Sequence, residues 1–369
     1  NERCKIAGKE VDDATLVAAF EEVEQARGEV SLTYFEFTGL AILRIFQRAN
    51  LDAVILEIGL GGRLDAMNAI DTDCAILCSI GIDHSAYLGD TREKVGWEKA
   101  HIMRHGKPAI CTDPNPPSTV VEYAHELLAP LYVWGKDYQS YRHHGQWDFE
   151  MDLRTLAAFH TTEWRNLPKP AISGAVQLQN ASGALAALAV MQDVLPITRS
   201  AVIEGLENVM IAARYQQVKA RDANGAAVTV DVGHNPQAAE VLADNVLRTT
   251  TPDEKVWAVF GMLSDKDMAN VSKTMNRHID RWFITGLPKP RGADAQELLA
   301  AMEQGGVDPA KVVTCENVDA ALRTALAESA KPGNETVKIL GFGSFVTVTG
   351  IFESLRHDLR EEQLAAAPK

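Results

Sequence analysis

The chain has 369 residues, 46% of them apolar and 23% charged, and carries a formal net charge of −14 at pH 7. That composition excludes wholesale disorder, collagen-like repeats and a fibrous architecture, and the length suits two domains. No Lys/Arg-rich run is present and the apolar runs are too short to span a bilayer, so neither nucleic acid nor membrane is expected as a partner.

No basic start followed by an apolar segment suggests a signal peptide, and the five cysteines are odd in number and lack CxxC spacing. They read as free thiols of a reducing cytosol, and the expected location is cytoplasmic. Cys74 and Cys78 are expected to share one side of a strand as small buried hydrophobes.

In chain order, Leu32, Phe35, Gly39, Ile42 and Phe46 form one stripe and predict a helix over 32–49. Short apolar runs at 52–57, 74–80 and 108–111 predict strands covered on both faces, with a helix over 91–104 between the last two. Residues 132–164, holding Trp134, Tyr138, Tyr141, Trp147, Phe149 and Trp164, predict an antiparallel excursion with its own small core. Helices are expected over 180–194 and 198–209. After Met210 the pattern resets. Strands at 227–231, 255–261, 281–285, 311–314 and 336–341 alternate with helices, as in a doubly wound α/β domain, with a boundary near 211–215. The alanine-rich tail beyond Glu362 is expected to fray.

Polar residues gather where strands end. Glu57 closes an apolar run and opens the glycine-rich segment Gly59-Leu-Gly-Gly-Arg-Leu-Asp65; it reads either as a ligand loop or as an ordinary turn with a salt-bridged Glu. Leu64 stands where a GxGxxG dinucleotide motif needs its third glycine, which argues against an oxidoreductase. Asp83 and His84 end the next run, and a Glu and a His at neighbouring strand ends could share a divalent cation. Glu98 and Lys99 read from spacing alone as an ordinary helix face. Asp231 ends a strand before His234-Asn235-Pro236, which reads as a well-made helix start or as a ligand-facing strand end. Gly261 to Asp267 and Pro290-Arg291-Gly292 extend that arrangement to two further strand ends. His143 and His144 read as surface residues without partners.

Taken together, Ser31-Leu-Thr-Tyr-Phe-Glu36, Glu57 to Ala66, Ser79-Ile-Gly-Ile-Asp-His84, Glu98-Lys-Ala100, Asp231 to Pro236, Gly261 to Asp267 and Gly343-Ser-Phe-Val-Thr347 run in one order. In that order the chain resembles the bifunctional dihydrofolate synthase/folylpolyglutamate synthase family of the Mur ligase superfamily. The resemblance implies an α/β architecture. Residues 1–212 would form a Mur-ligase-like central ATP- and pterin-binding domain, N-terminally incomplete, and 213–369 a C-terminal Rossmann-like, doubly wound glutamate-ligase domain. It implies an ATP-dependent amide ligase that adds L-glutamate to dihydropteroate and to folates through an acyl phosphate, working as a monomer.

By the same resemblance Glu57 and His84 would be Mg²⁺ ligands. Lys99 would be carbamylated and help hold a second Mg²⁺. Thr33, Tyr34, Phe35, Glu36, Leu64, Asp65 and Ala66 would line the pterin pocket. Asn180, Arg214 and Asp231 would hold ATP, with His234 as a catalytic neighbour. Three departures accompany it, the first two mild. Gly233 stands where Ala is common. Ala212-Ala213-Arg214 replaces the family's usual Pro-Gly-Arg, and the family's opening strand and GxxGKGS-type P-loop are not among these residues. A P-loop supplies the amides and lysine that cradle phosphates. The expectation is therefore a ligase whose phosphate-binding segment lies upstream of Asn1, or a non-catalytic remnant that keeps a folate or nucleotide pocket.

Overall fold

The computed structural model describes residues 3–154, 159–172, 174, 176–222 and 225–356; the tail beyond Glu362 lies outside them. Contacts divide the chain into two units, Asn1–Lys169 with Leu178–Leu206, and Pro170–Gln177 with Glu207–Lys369.

The first unit opens with a hairpin, β1 (Lys5–Ile6) and β2 (Lys9–Glu10), followed by α1 (Asp13–Arg27) and α2 (Tyr34–Arg48). Asp12 caps α1, which sequence patterning did not single out, and the two helices close over Leu16, Val23, Ala41, Ile42, Ile45 and Cys4.

A three-stranded parallel sheet follows in the order β3 (Ala75–Leu77), β4 (Ala109–Cys111), β5 (Leu131–Val133). Around it lie α3 (Ser85–Leu88), α4 (Arg92–Ala100) and α5 (Ser118–Glu126). Alternation sends Ala109, Cys111 and Val133 into one core with Val95 and Val120, and Ile110 and Tyr132 into another. At β3 only one face is covered, since Ile76 is exposed between buried Ala75 and Leu77.

The expected strand over 52–57 does not form. The segment pairs with no strand, and Ile55 is 93% exposed. An apolar run becomes a strand only where a sheet supplies ladder partners, and the described sheet ends at β3. Cys78 is likewise exposed rather than buried, and Cys74 is half-buried, because they flank that uncovered edge strand.

The aromatic excursion is an antiparallel sheet of β6 (Tyr138–His143), β7 (Gln146–Arg154) and β8 (Phe159–Pro168). Its Tyr138, Trp147, Phe149 and Trp164 share a core with Leu185, Ala186 and Ala189 of α6 (Gln177–Val190) and with Val202 and Leu206 of α7 (Arg199–Asn208). His143 has a partner after all, Asp148, at 2.8 Å.

The second unit holds β9 (Gln216–Lys219), β10 (Ala227–Asp231), α8 (Pro236–Thr249), β11 (Lys255–Phe260), α9 (Met268–Asn276), β12 (Arg281–Thr285), α10 (Ala295–Gln304), β13 (Val312–Cys315), α11 (Val318–Ser329), β14 (Val337–Phe342) and α12 (Phe345–Ser354). The six strands lie in the order β13-β12-β11-β14-β10-β9, all parallel except β9.

Both faces are buried, which explains the continuous apolar runs. Trp257, Val259, Phe283 and Ile339 face Leu322 of α11 and Ile351 of α12; Ala258, Phe260, Trp282, Ile284 and Phe342 face Leu242 of α8, Val271 of α9 and Leu298 of α10. Each such fully buried side chain contributes about 1.5–3 kcal/mol. The last strand, β14, enters between β10 and β11, so these two, successive in sequence before it, are not neighbours in the sheet, whereas β11 and β12 are.

Candidate functional site

In the first unit the site is built around the glycine-rich loop. Asp65 closes it: Oδ2 accepts the N–H groups of Gly59 (2.9 Å) and Leu60 (3.0 Å), and Oδ1 accepts that of Met67 (2.9 Å). The loop is seated on the last turn of α4. A Cβ at Gly62 would lie 2.6 Å from the Glu98 carbonyl oxygen and 3.1 Å from that of Lys99, an approach only glycine permits. Arg63 locks the contact. Its N–H donates to the Glu98 carbonyl at 3.0 Å, and its guanidinium pairs with the Glu98 carboxylate at 3.1 Å and lies over the Trp97 ring.

The start of α2 meets the same loop. A Cβ at Gly59 would come within 2.6 Å of the Phe35 ring, so Phe35 packs directly on the loop beside Asp65. Tyr34 and Leu64 are 74% and 80% exposed, with the Arg3 guanidinium over the Tyr34 ring, and Ala66 is half-buried. Thr33 and Glu36 have a structural duty: the Glu36 carboxylate accepts the Thr33 N–H at 2.7 Å, and the Thr33 hydroxyl accepts the Glu36 N–H at 3.2 Å. That reciprocal capping box holds the Glu36 carboxyl below the usual carboxylate range. Its T-x-x-E spacing was readable in the sequence, ahead of an apolar helix.

Although the Cys78 residue reaches solvent, its thiol is raised by the protein around it, with the Lys99 charge lowering it and the Glu57 charge raising it. Glu57 is exposed and Lys99 half-buried on α4. His84 follows β3 in the left-handed region at φ 51°, with its N–H donating to Asp83 Oδ1 at 2.8 Å and its carbonyl accepting from Tyr87 at 2.8 Å. A β-substituted residue in that region stores strain, which is held only where the surroundings over-determine it. Among the described residues no three His, Cys, Asp or Glu side chains gather as a ready metal cage. Mg²⁺ prefers oxygen, so an imidazole is an unusual ligand for it, tolerated where the other ligands are carboxylate, phosphate and water oxygens. Asn180 stands exposed on α6.

In the second unit, Asp231 ends β10 and is pinned from two sides. It accepts the Tyr215 N–H at 2.9 Å and the Gly233 N–H at 2.7 Å. Burial pushes its carboxyl up, against those two bonds and the charges of Arg214 and His234. Arg214 is exposed on a tight turn whose flanks, Ala213 (φ 59°) and Tyr215 (φ 46°), are both left-handed. Glycine would hold the Ala213 conformation without the roughly 1–2 kcal/mol that a Cβ costs there, which gives the Ala-for-Gly departure a physical meaning.

His234 Nδ1 donates to the Val232 carbonyl at 2.9 Å; a carbonyl cannot donate, so this bond fixes the tautomer. Asn235 caps α8 and Pro236 is its first residue. Across the sheet, Arg291 pairs with Asp265 at 3.1 Å, and the Thr347 hydroxyl donates to the Gly261 carbonyl at 2.8 Å. The structure thus brings together Phe35 with Asp65, and Arg214 and His234 with Asp231.

No described helix is long and apolar enough to cross a membrane. A family model for the Mur ligase glutamate ligase domain matches residues 213–343. The dihydrofolate synthase/folylpolyglutamate synthase of Escherichia coli (strain K12) is 38% identical over 352 residues, which are 95% of this chain and 76% of that relative. The solved structure of E. coli FolC in complex with DHPP and ADP superposes with a TM-score of 0.84 at 35% identity, covering 96% of this chain and 78% of that one. A bifunctional folylpolyglutamate synthase/dihydrofolate synthase with Mn, AMPPNP and L-glutamate bound gives 0.82 at 34% identity, over 95% of this chain and 79% of that one.

Proposed function

Because the chain belongs to the dihydrofolate synthase/folylpolyglutamate synthase family, we propose that the two polar clusters described above serve one reaction, the ATP-dependent joining of L-glutamate to dihydropteroate and to folates. A substrate carboxylate oxygen attacks the γ-phosphorus of ATP, the bond to ADP breaks, and an acyl phosphate forms. The unprotonated amine of glutamate then attacks the acyl carbon. Phosphate leaves with the C–O bonding pair, the nitrogen loses a proton, and an amide remains.

In this reading Phe35, Tyr34, Leu64 and Ala66 meet the acid substrate, while Thr33, Glu36 and Asp65 hold the backbone that presents them. Arg214, an exposed cation beside a half-buried carboxylate, would meet phosphate oxygens. Asn180 and Asp231 would each contribute to nucleotide binding, and His234 offers Nε2 beside Asp231. Glu57 and His84 would hold a divalent cation, which when bound screens charge on the transferring phosphoryl group. The half-buried Lys99 amine, neutral, would add to CO₂ and lose a proton, giving a carbamate that supplies a further carboxylate there. The protein would act as a monomer.

The observation that carries this reading is the seating of the glycine-rich loop, which follows Glu57, on the turn of α4 that bears Lys99. The test is incubation of the natural full-length protein with dihydropteroate, ATP, Mg²⁺ and labelled glutamate. Glutamylated product with equal amounts of ADP and phosphate is expected, falling on the order of 100-fold in Glu57→Ala and Lys99→Ala. A folded protein that forms no product, or variants as active as the parent, would refute it. Carbamylation has its own readout, a new ¹³C resonance from labelled bicarbonate that Lys99→Ala lacks.

A further inference from the structure

Beyond Leu77, the last residue of β3, the chain runs on to Ile80, and there a single ion pair takes over both backbone groups of that residue. Arg92, the first residue of α4, donates from Nε to the Ile80 carbonyl at 2.9 Å, and from Nη2 to Asp113 Oδ2 at 2.8 Å and to the Asn115 carbonyl at 3.0 Å. Asp113 in turn accepts the Ile80 N–H on Oδ2 at 2.9 Å and the Asn115 N–H on Oδ1 at 3.0 Å. Asp113 and Ile80 are buried, at 6% and 2% exposure. A planar guanidinium fork can serve a carboxylate and a carbonyl at once, which the point charge of a lysine cannot.

What leaves this clamp is the strand exit that carries His84. Residues 81–84 form no ladder, His84 sits in the left-handed region, and beyond it lies only α3, Ser85–Leu88. That short helix is seated through buried Leu88, against which a Cβ at Gly61 would lie 2.8 Å away. The imidazole therefore hangs between two fixed points, Ile80 and Leu88.

We infer that Arg92 and Asp113 are positioning residues for His84. They fix the exit from β3 so that the imidazole is presented to a divalent cation in one place. This rests on the reading of His84 as a cation ligand. Groups that orient a ligand typically govern about 10–100-fold in metal affinity.

The test uses the full chain with histidines isotopically labelled, titrated with Mn²⁺ alone, and reads the paramagnetic broadening of the His84 ring signals, assigned with His84→Ala. In the parent, broadening of His84 is expected at low Mn²⁺. In Arg92→Lys and Asp113→Asn the Mn²⁺ concentration needed should rise about tenfold or more, while amide-exchange protection in β4 and β5 persists. Asp113→Glu, which keeps the charge, is expected to recover most of the affinity and guards against a variant that merely misfolds. Affinity within a factor of two of the parent in both Arg92→Lys and Asp113→Asn overturns the inference and leaves His84 a ligand. No broadening of His84 in the parent itself overturns the ligand reading, and the inference with it.

Discussion

Replacing Gly183 by alanine tests how tightly α6 is seated on the end of β4. In an isolated helix the change would gain about 1 kcal/mol, since glycine is a poor helix former. Here the new Cβ would lie 2.4 Å from Cγ2 of Thr112. Thr112 is 2% exposed, and its β-branched side chain has little freedom to turn away. Gln179 of the same helix donates to the Thr112 carbonyl at 2.5 Å, which ties the two backbones at that spacing. An ordinary carbon contact requires about 3.5–4.0 Å, so one element must move by more than an ångström. Overpacking of that kind costs about 1–3 kcal/mol. The net expectation is destabilisation by about 1 kcal/mol, roughly a fivefold change in the opening equilibrium. Because two units are present, a single unfolding free energy is not well defined. The assay is native-state amide exchange at Leu185, Ala186 and Ala189, buried on α6. Thr112→Ser removes the offending methyl, so the double variant should show a favourable coupling of about 1–2 kcal/mol. Exchange in Gly183→Ala as slow as in the parent, or no coupling with Thr112→Ser, would refute the close packing.

Acid sensitivity should appear in the antiparallel sheet. The Asn166 N–H and the His143 ring hold the Asp148 carboxyl down at about 2. A depressed folded-state value means the contribution is complete above the unfolded value, about 4, and is lost as pH falls through about 2. Asp148→Asn should abolish that loss when amide exchange of β7 and β8 is followed from pH 5 to 2, and an unchanged acid profile would count against it. Thiol labelling should reach Cys78 first and buried Cys4 and Cys111 only on unfolding, with Cys74 and Cys111 slow because burial pushes both up to about 11; mass spectrometry showing Cys111 labelled ahead of Cys78 would contradict the exposure of the β3 edge. Amide exchange should be slower in the six-stranded sheet than in β3, β4 and β5, where strands of three residues end at an uncovered edge; equal protection in both sheets would contradict this.

Much of this was legible locally. Asn235-Pro236 marks a helix start because the cap and the first-turn proline act within four residues, and the helix begins there. The apolar runs at β10 to β14 are continuous because both faces of that sheet are covered, and they read as strands for the same reason. The order of the glycine, acid and histidine motifs was enough to point to the ligase family. The capping box at Thr33 and Glu36 was equally local, but its structural duty shows only in the two bonds it makes.

Other features depend on partners far along the chain. Residues 52–57 have the composition of a strand and no ladder to join. The antiparallel strand β9 is short and joins β10 by pairing alone. Nothing in residues 337–342 indicates insertion between β10 and β11. Arg92 and Asp113, separated by 21 positions, meet only because β3 and β4 are neighbours. By itself the sequence determined helix starts, strand faces and the family, since periodicity, capping and turn chemistry act over a few residues. The tertiary structure alone decided which strand lies beside which, which carboxylate is buried and which loop rests on which helix turn. Those outcomes are set by competition among non-local contacts, where backbone pairing and close packing are satisfied across the whole fold at once.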